Sequence, residues 1–223
     1  MDSRTHILQN IREALTHKSQ LPTAPAELDC ALRDKLSQQT PTSIDDLVDL
    51  FRRELEIVSG EFTKVKSDRE AAARIEEILR ENGETRIVVA GLFLDDKVCV
   101  HLAESISIIK PEQLATEEKV SICADITTGI VDVAYAVADS ATLAVPFGTI
   151  NSTLPHFLPD CVIALVRKNQ LIADHFELFD KLDAESAKNM LLVTGPSRTA
   201  DIEKILILGA HGPRRLIVIL IDD

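Results

Sequence analysis

The chain has 223 residues, 45% of them hydrophobic, enough to bury one full core and too few for two large domains. Its 24 Lys and Arg against 36 Asp and Glu leave a formal charge of −12. That balance excludes non-specific nucleic-acid binding, which runs on cationic neutralisation of phosphates, and attraction to anionic membrane surfaces.

The N-terminus carries Asp2, Arg4, Arg12 and Glu13 where a signal peptide would carry an apolar core. The longest unbroken apolar stretch, 216–221, falls far short of the roughly 20 residues that span a bilayer. Cys30, Cys99, Cys123 and Cys161 show no zinc or iron–sulfur spacing. A reduced, metal-free, cytoplasmic protein is the expectation.

In residues 1–42, Ile7, Ile11 and Leu15 recur every four positions, and Leu28, Leu32 and Leu36 repeat the spacing after Pro22 and Pro25. Neither stripe is wide enough to fold alone, so 1–42 reads as a helical arm and linker, and 43–223 as the main domain. Ser43 with Asp46 resembles a capping box and opens a helix with Leu47, Val48, Phe51 and Leu55 inward. A strand over 62–65 follows. Ser67 with Glu70 opens a second helix, through Ile75, Ile78 and Leu79 to Asn82-Gly83.

Beyond it, continuous apolar runs predict strands at 86–90, 105–109, 120–124, 142–145, 161–166, 190–193 and 216–221. Helices are predicted at about 129–138, 174–188 and 198–208. Strands apolar on both faces and separated by helices indicate an α/β domain with a largely parallel sheet. Residues 120–166 hold no Lys or Arg, so they belong to the inner sheet and its turns. Asp125, Asp132, Asp139 and Asp160 then cap helices and close turns.

The segment LLVTGPSRTADIEKILILGAHGPRRLIVILIDD concentrates the candidate chemistry. A strand runs into Gly195-Pro196-Ser197, and Ser197 or Thr199 can cap the predicted helix. The amides of its first turn, with Arg198, make an anion site at the carboxyl end of a strand. Capping and turn formation account for the same residues without a ligand. His211 is a general-base candidate or a hydrogen-bonded turn residue. Asp201 and Glu203 are two apart, share no helix face and are not a paired acid and base.

Arg198-Thr199 stands where a nucleophile elbow needs x-Gly, and neither GxGxxG nor a P-loop occurs. No two of the six histidines pair as HxH or HxxxH, so no metal site is expected. Without Trp and with one Tyr there is no stacking platform for nucleic acid.

The run TGPSRTADIE…GAHGPR resembles the signature of the LUD-domain family, lactate-utilisation protein C branch. GIVDVAYAVADSATL over 129–143 resembles that family's helix and turn into a strand, and ILQNIREAL its N-terminal helix. The resemblance implies a three-layer fold similar to ribose-phosphate isomerase, glucosamine-phosphate deaminase and CoA transferases, the NagB/RpiA/CoA-transferase-like fold. It implies a cluster-free accessory subunit in oxidation of L-lactate or a related 2-hydroxy acid to pyruvate. Iron–sulfur clusters are expected only on partner subunits, and no cofactor on this chain.

No catalytic residue follows from the resemblance. Its motif positions are carried over as candidate ligand contacts: Gly195, Pro196, Ser197, Arg198, Thr199, Asp201, Glu203, His211, Gly212, Arg214 and Asp139. Three departures stand out. Ser140-Ala141 replaces the family's Thr-Gly, so a turn needing positive φ is expected to be remodelled. The loop over 148–155 lacks the family's arginine, and Ile217 occupies the place of a histidine in the last strand. Two alternatives follow. One is a stand-alone binder or enzyme for a carboxylate, phosphate or CoA ester, whose CoA-transferase form would need Glu203 as nucleophile. The other is a structural scaffold whose site has decayed.

Overall fold

The structure is a computed structural model that describes residues 4, 6–10, 41, 43–90, 94–147, 152–182, 189–200, 206–209 and 212–223. The chain divides into a unit of residues 1–39 and a unit of residues 40–223. In the first unit residues 6–10 are helical and Ile7 and Leu8 are exposed. The remaining predicted stripe residues, Ile11 to Leu36, lie outside the described residues.

In the second unit α1 (Ile44–Ile57) buries Leu47, Val48, Phe51 and Leu55, as their spacing predicts. The expected capping box is absent: Ser43 makes no side-chain cap bond. Asp46 is one methylene shorter than the Glu or Gln that reaches back in such a box. β1 (Glu61–Val65) leads to α2 (Asp68–Asn82), where Ser67 Oγ accepts from Glu70 N at 3.2 Å and Gly83 closes the helix at φ 70°. β2 (Arg86–Ala90), α3 (Leu94–Cys99) and β3 (Ser107–Ile109) follow.

Three predicted elements are corrected. Residues 120–124 end a helix, α4 (Thr116–Ala124), rather than form a strand. Glu117 and Glu118 in its first turn favour the helix, and Val120 is 55% exposed, so the run was not a buried strand. The region predicted helical at 129–138 forms two strands, β4 (Thr128–Asp132) and β5 (Tyr135–Val137), in keeping with Ile130, Val131, Val133 and Val137. The third correction is in the C-terminal motif. Its 198–208 helix is replaced by β10 (Arg198–Ala200) and β11 (Leu206–Leu208), paired antiparallel with Arg198 opposite Leu208. The β-branched Thr199 and Ile207, opposite each other in the ladder, suit that extended pairing.

The remaining elements are β6 (Thr142–Pro146), α5 (Leu154–Phe157), β7 (Cys161–Arg167), β8 (Leu171–Ile172), α6 (His175–Lys181), β9 (Met190–Val193) and β12 (Arg215–Ile221). Asp174 caps α6 by accepting from Glu177 N at 2.8 Å.

Six strands form one parallel sheet in the order β1-β12-β7-β4-β2-β3. A second sheet, β8-β5-β6-β9, pairs β6 antiparallel to both neighbours. One face of the large sheet packs Ile163, Leu165, Ile217 and Ile219 against α2 and Val98 of α3. The other packs Val162, Ala164, Val218 and Leu220 against α1 and the second sheet. The result is three layers around a doubly covered parallel sheet, which explains why its strands are apolar on both faces. Among the described residues no helix is long and apolar enough to cross a membrane.

Candidate functional site

The C-terminal motif sits at the amino ends of the large sheet's strands, not at the carboxyl ends. Arg214 N and Arg215 N donate to Asp160 O at 2.8 and 3.0 Å, just before β7 begins, and Ser197 N donates to Pro213 O at 2.8 Å. The expectation failed because β9, which feeds the motif, belongs to the second sheet. The rule that places ligands beyond the carboxyl ends of parallel strands does not govern it. At those carboxyl ends the chain's own acids answer its cations. Arg167 pairs with Asp68 at 2.6 Å, and Lys168 with Asp45 and Asp222 at 2.7 and 2.9 Å. Lys64 and then Lys168 hold the Asp222 carboxyl below its ordinary range.

Thr194 to Arg198, together with Gly212 and Pro213, form one side of a groove of about 440 Å³. Val58, His156, Phe157 and the β9 residues Leu191 to Val193 form the rest. Gly195 takes φ 80°, and a Cβ there would come within 2.9 Å of a Val58 methyl, so only glycine lets the motif close on the end of α1. The Arg198 guanidinium donates to the Val58 carbonyl at that helix end, where a cation is favoured. Because β10 starts at Arg198, no helix begins at Ser197 or Thr199 among the described residues, the predicted helix-end anion site is not formed there, and Arg198 ties the groove to α1.

The other candidates divide. Ser197 lies against Gly212, whose added Cβ would sit 3.2 Å from the Ser197 Cβ. Thr199 pairs with Ile207 in the β10–β11 ladder. Arg214 approaches Asp160 at 3.6 Å with both side chains exposed, a contact of small energy. Asp139 is exposed, 3.8 Å from His175 Nδ1, and is not part of the groove lining. Asp201, Glu203 and His211 lie outside the described residues.

The next residue, Ser140, begins a hydroxyl chain that reaches the groove. Ser140 Oγ and Thr142 Oγ1 are 3.0 Å apart, and Thr142 Oγ1 and Thr194 Oγ1 are 2.7 Å apart. The turn expected to be remodelled keeps a left-handed residue: Ala141 is buried at φ 51°. Packing of Ala141 into the core between α1 and the second sheet holds the alanine where glycine would be unstrained. Ile217, in place of a histidine, is fully buried among apolar neighbours.

Sequence reasoning missed His156. It is 6% exposed, lines the groove, and neither ring nitrogen has a hydrogen-bond partner. Burial lowers its pKa to about 4 and outweighs the opposing pull of the Thr153 backbone, so the imidazole is neutral at pH 7. Its one signal in the sequence is the Pro-His-Phe-Leu-Pro run, where two prolines fix a short connection before β7.

Cys161 is buried and its thiol is pushed up to about 11, mainly by burial, so it is protonated and no nucleophile at neutral pH. Among the described residues no group of three or more His, Cys, Asp or Glu is placed to hold a metal.

A family model described as LUD domain matches residues 48–221. The chain is 24% identical to "Uncharacterized protein YkgG" of Escherichia coli K12 over the full length of both. It is 24% identical to "Lactate utilization protein C" of Oceanobacillus iheyensis over 81% of this chain and 82% of that one. It is 29% identical to the protein of that name from Bacillus pumilus, over 50% of this chain and 49% of that one. The crystal structure of a DUF162 family protein from Deinococcus radiodurans superposes with TM-score 0.61 at 18% identity. That superposition covers 81% of this chain and 99% of the other, so the fold is shared. With the family model matched from the first helix of the main unit to its last strand, this chain belongs to the LUD domain family.

Proposed function

We propose that this protein is a cluster-free subunit of a cytoplasmic system that oxidises L-lactate, or a related 2-hydroxy acid, to pyruvate. The two electrons released pass to iron–sulfur clusters on partner proteins. Relatives named lactate utilization protein C support this reading. The observation that carries it in the structure is convergence. The motif residues Thr194 to Arg198 and Gly212 meet on one groove, and the second motif reaches that groove through Thr142.

Deletion of the gene in its native host tests the proposal. Growth on L-lactate as sole carbon source is expected to fail while growth on glucose continues, and the intact gene restores it. Equal growth of the deletion strain on both carbon sources overturns the proposal. The reading of an anion binder built on a helix end after Ser197 has lost its structural basis, since β10 begins there.

A further inference from the structure

His156 is the feature of the groove that the fold does not explain. A buried imidazole ordinarily donates through one nitrogen and accepts through the other, and leaving both unmet is costly. Here neither is met among the described residues, and the ring borders a groove of about 440 Å³, within the range of small-molecule sites.

The surroundings define what would satisfy it. Val58, Leu191, Val193 and Phe157 make the walls apolar. A neutral imidazole offers one donor and one acceptor, which suits a hydroxyl; a carboxylate only accepts. The charge in the lining is Arg198, exposed and held by the Val58 carbonyl. Apolar walls, an imidazole whose two nitrogens are closed off from solvent until the ring turns, and one cation at the edge describe a 2-hydroxy acid whose side chain is apolar and longer than a methyl group.

We propose that the groove binds such an acid, with the imidazole of His156 turning about its Cβ–Cγ bond to meet the 2-hydroxyl and Arg198 facing the carboxylate. This deepens the hydroxy-acid reading above and rests on it. His156 acts as a specificity residue. It separates hydroxy acids from their deoxy analogues because only the hydroxyl relieves its unmet nitrogens.

The test compares 2-hydroxyisocaproate with 4-methylpentanoate, the same chain without the hydroxyl, on the full-length protein. Calorimetry gives the two affinities, and long-range ¹⁵N–¹H spectra of the imidazoles follow the His156 signals, assigned by their loss in His156→Phe. The wild type is expected to prefer the hydroxy acid by about fivefold or more, the scale of one net hydrogen bond. The His156 signals should shift saturably. His156→Phe should bind both acids equally, and His156→Gln, which keeps a donor and an acceptor, should restore part of the preference. Leu192→Arg, at an exposed residue of the wall, should abolish binding of both while leaving the fold intact.

Absence of a saturable shift for either acid overturns the inference. So does equal affinity of the wild type for the two. Growth on lactate is scored separately: a lactate defect without binding in the groove removes only this inference. Binding without a lactate defect removes only the pathway assignment.

Discussion

Thr142 Oγ1 and Thr194 Oγ1 lie 2.7 Å apart, one position beyond the Leu143–Val193 pair that ends the β6–β9 ladder, and this hydrogen bond joins the two sequence motifs of the chain. Thr142 is buried and also lies 3.0 Å from Ser140 Oγ, whereas Thr194 faces the groove. The bond therefore couples the β5–β6 turn to the first residue of the groove motif.

Replacing either threonine by valine keeps the shape and removes one hydroxyl. Each single change should cost about 1 kcal/mol, because the surviving hydroxyl retains Ser140 in one case and water in the other. In urea denaturation the double variant should lose less than the sum of the singles, with a coupling of roughly 0.5–1.5 kcal/mol. Strict additivity would show that the contact carries no energy.

Ala141 holds φ 51° without the freedom of glycine. Ala141→Gly relieves a left-handed strain of about 1–2 kcal/mol but deletes a buried methyl worth about 0.8 kcal/mol. The melting temperature should therefore rise slightly or stay unchanged. Ala141→Val adds a branched residue to a left-handed, fully buried position and should cost more than about 2 kcal/mol. A stable valine variant would mean that the turn relaxes freely.

His156 makes stability depend on pH. Its folded pKa of about 4 lies below the ordinary 6.5, so the unfolded chain binds the proton more readily. Its contribution is complete above about pH 6.5 and is lost as the pH falls towards 4, a change of roughly 3 kcal/mol. Urea midpoints between pH 7 and pH 4 should fall more steeply for the wild type than for His156→Phe. Parallel slopes would show that the ring is solvated.

Gly129 in β4 lets α5 approach: a Cβ there would sit 2.2 Å from the Pro155 carbonyl oxygen, a backbone atom that cannot swing aside. Gly129→Ala should destabilise by about 2 kcal/mol or more and disturb the groove through His156, one residue along. Gly83→Ala meets nothing within 4 Å and pays only for its φ of 70°, about 1 kcal/mol. Thermal melts of the pair separate steric from backbone cost.

The central strands β2, β7 and β12 were legible because helices or the second sheet cover both faces of the parallel sheet, so each strand is an unbroken apolar run. The same signal misled at 120–124, since a short apolar run does not distinguish strand from helix, and the helical exposure of Val120 is set by tertiary contacts. The helix predicted over 198–208 lost to cross-strand pairing of Arg198–Ala200 with Leu206–Leu208, an interaction invisible to local propensity. In the site, Gly195, Ser197, Arg198 and Gly212 were singled out and do meet on one groove. Their location escaped, because which sheet β9 joins is a matter of topology. His156 escaped because its interest lies in burial without partners, which no spacing encodes.

The most direct measurement is lactate-dependent dye reduction in an affinity eluate of the tagged protein, taken without oxygen from its native host grown on L-lactate. Activity that travels with the tag and requires co-eluting iron-containing proteins is the predicted result. A lone band of this protein, with no iron and no dye reduction, would contradict its assignment as a subunit of a lactate-oxidising assembly.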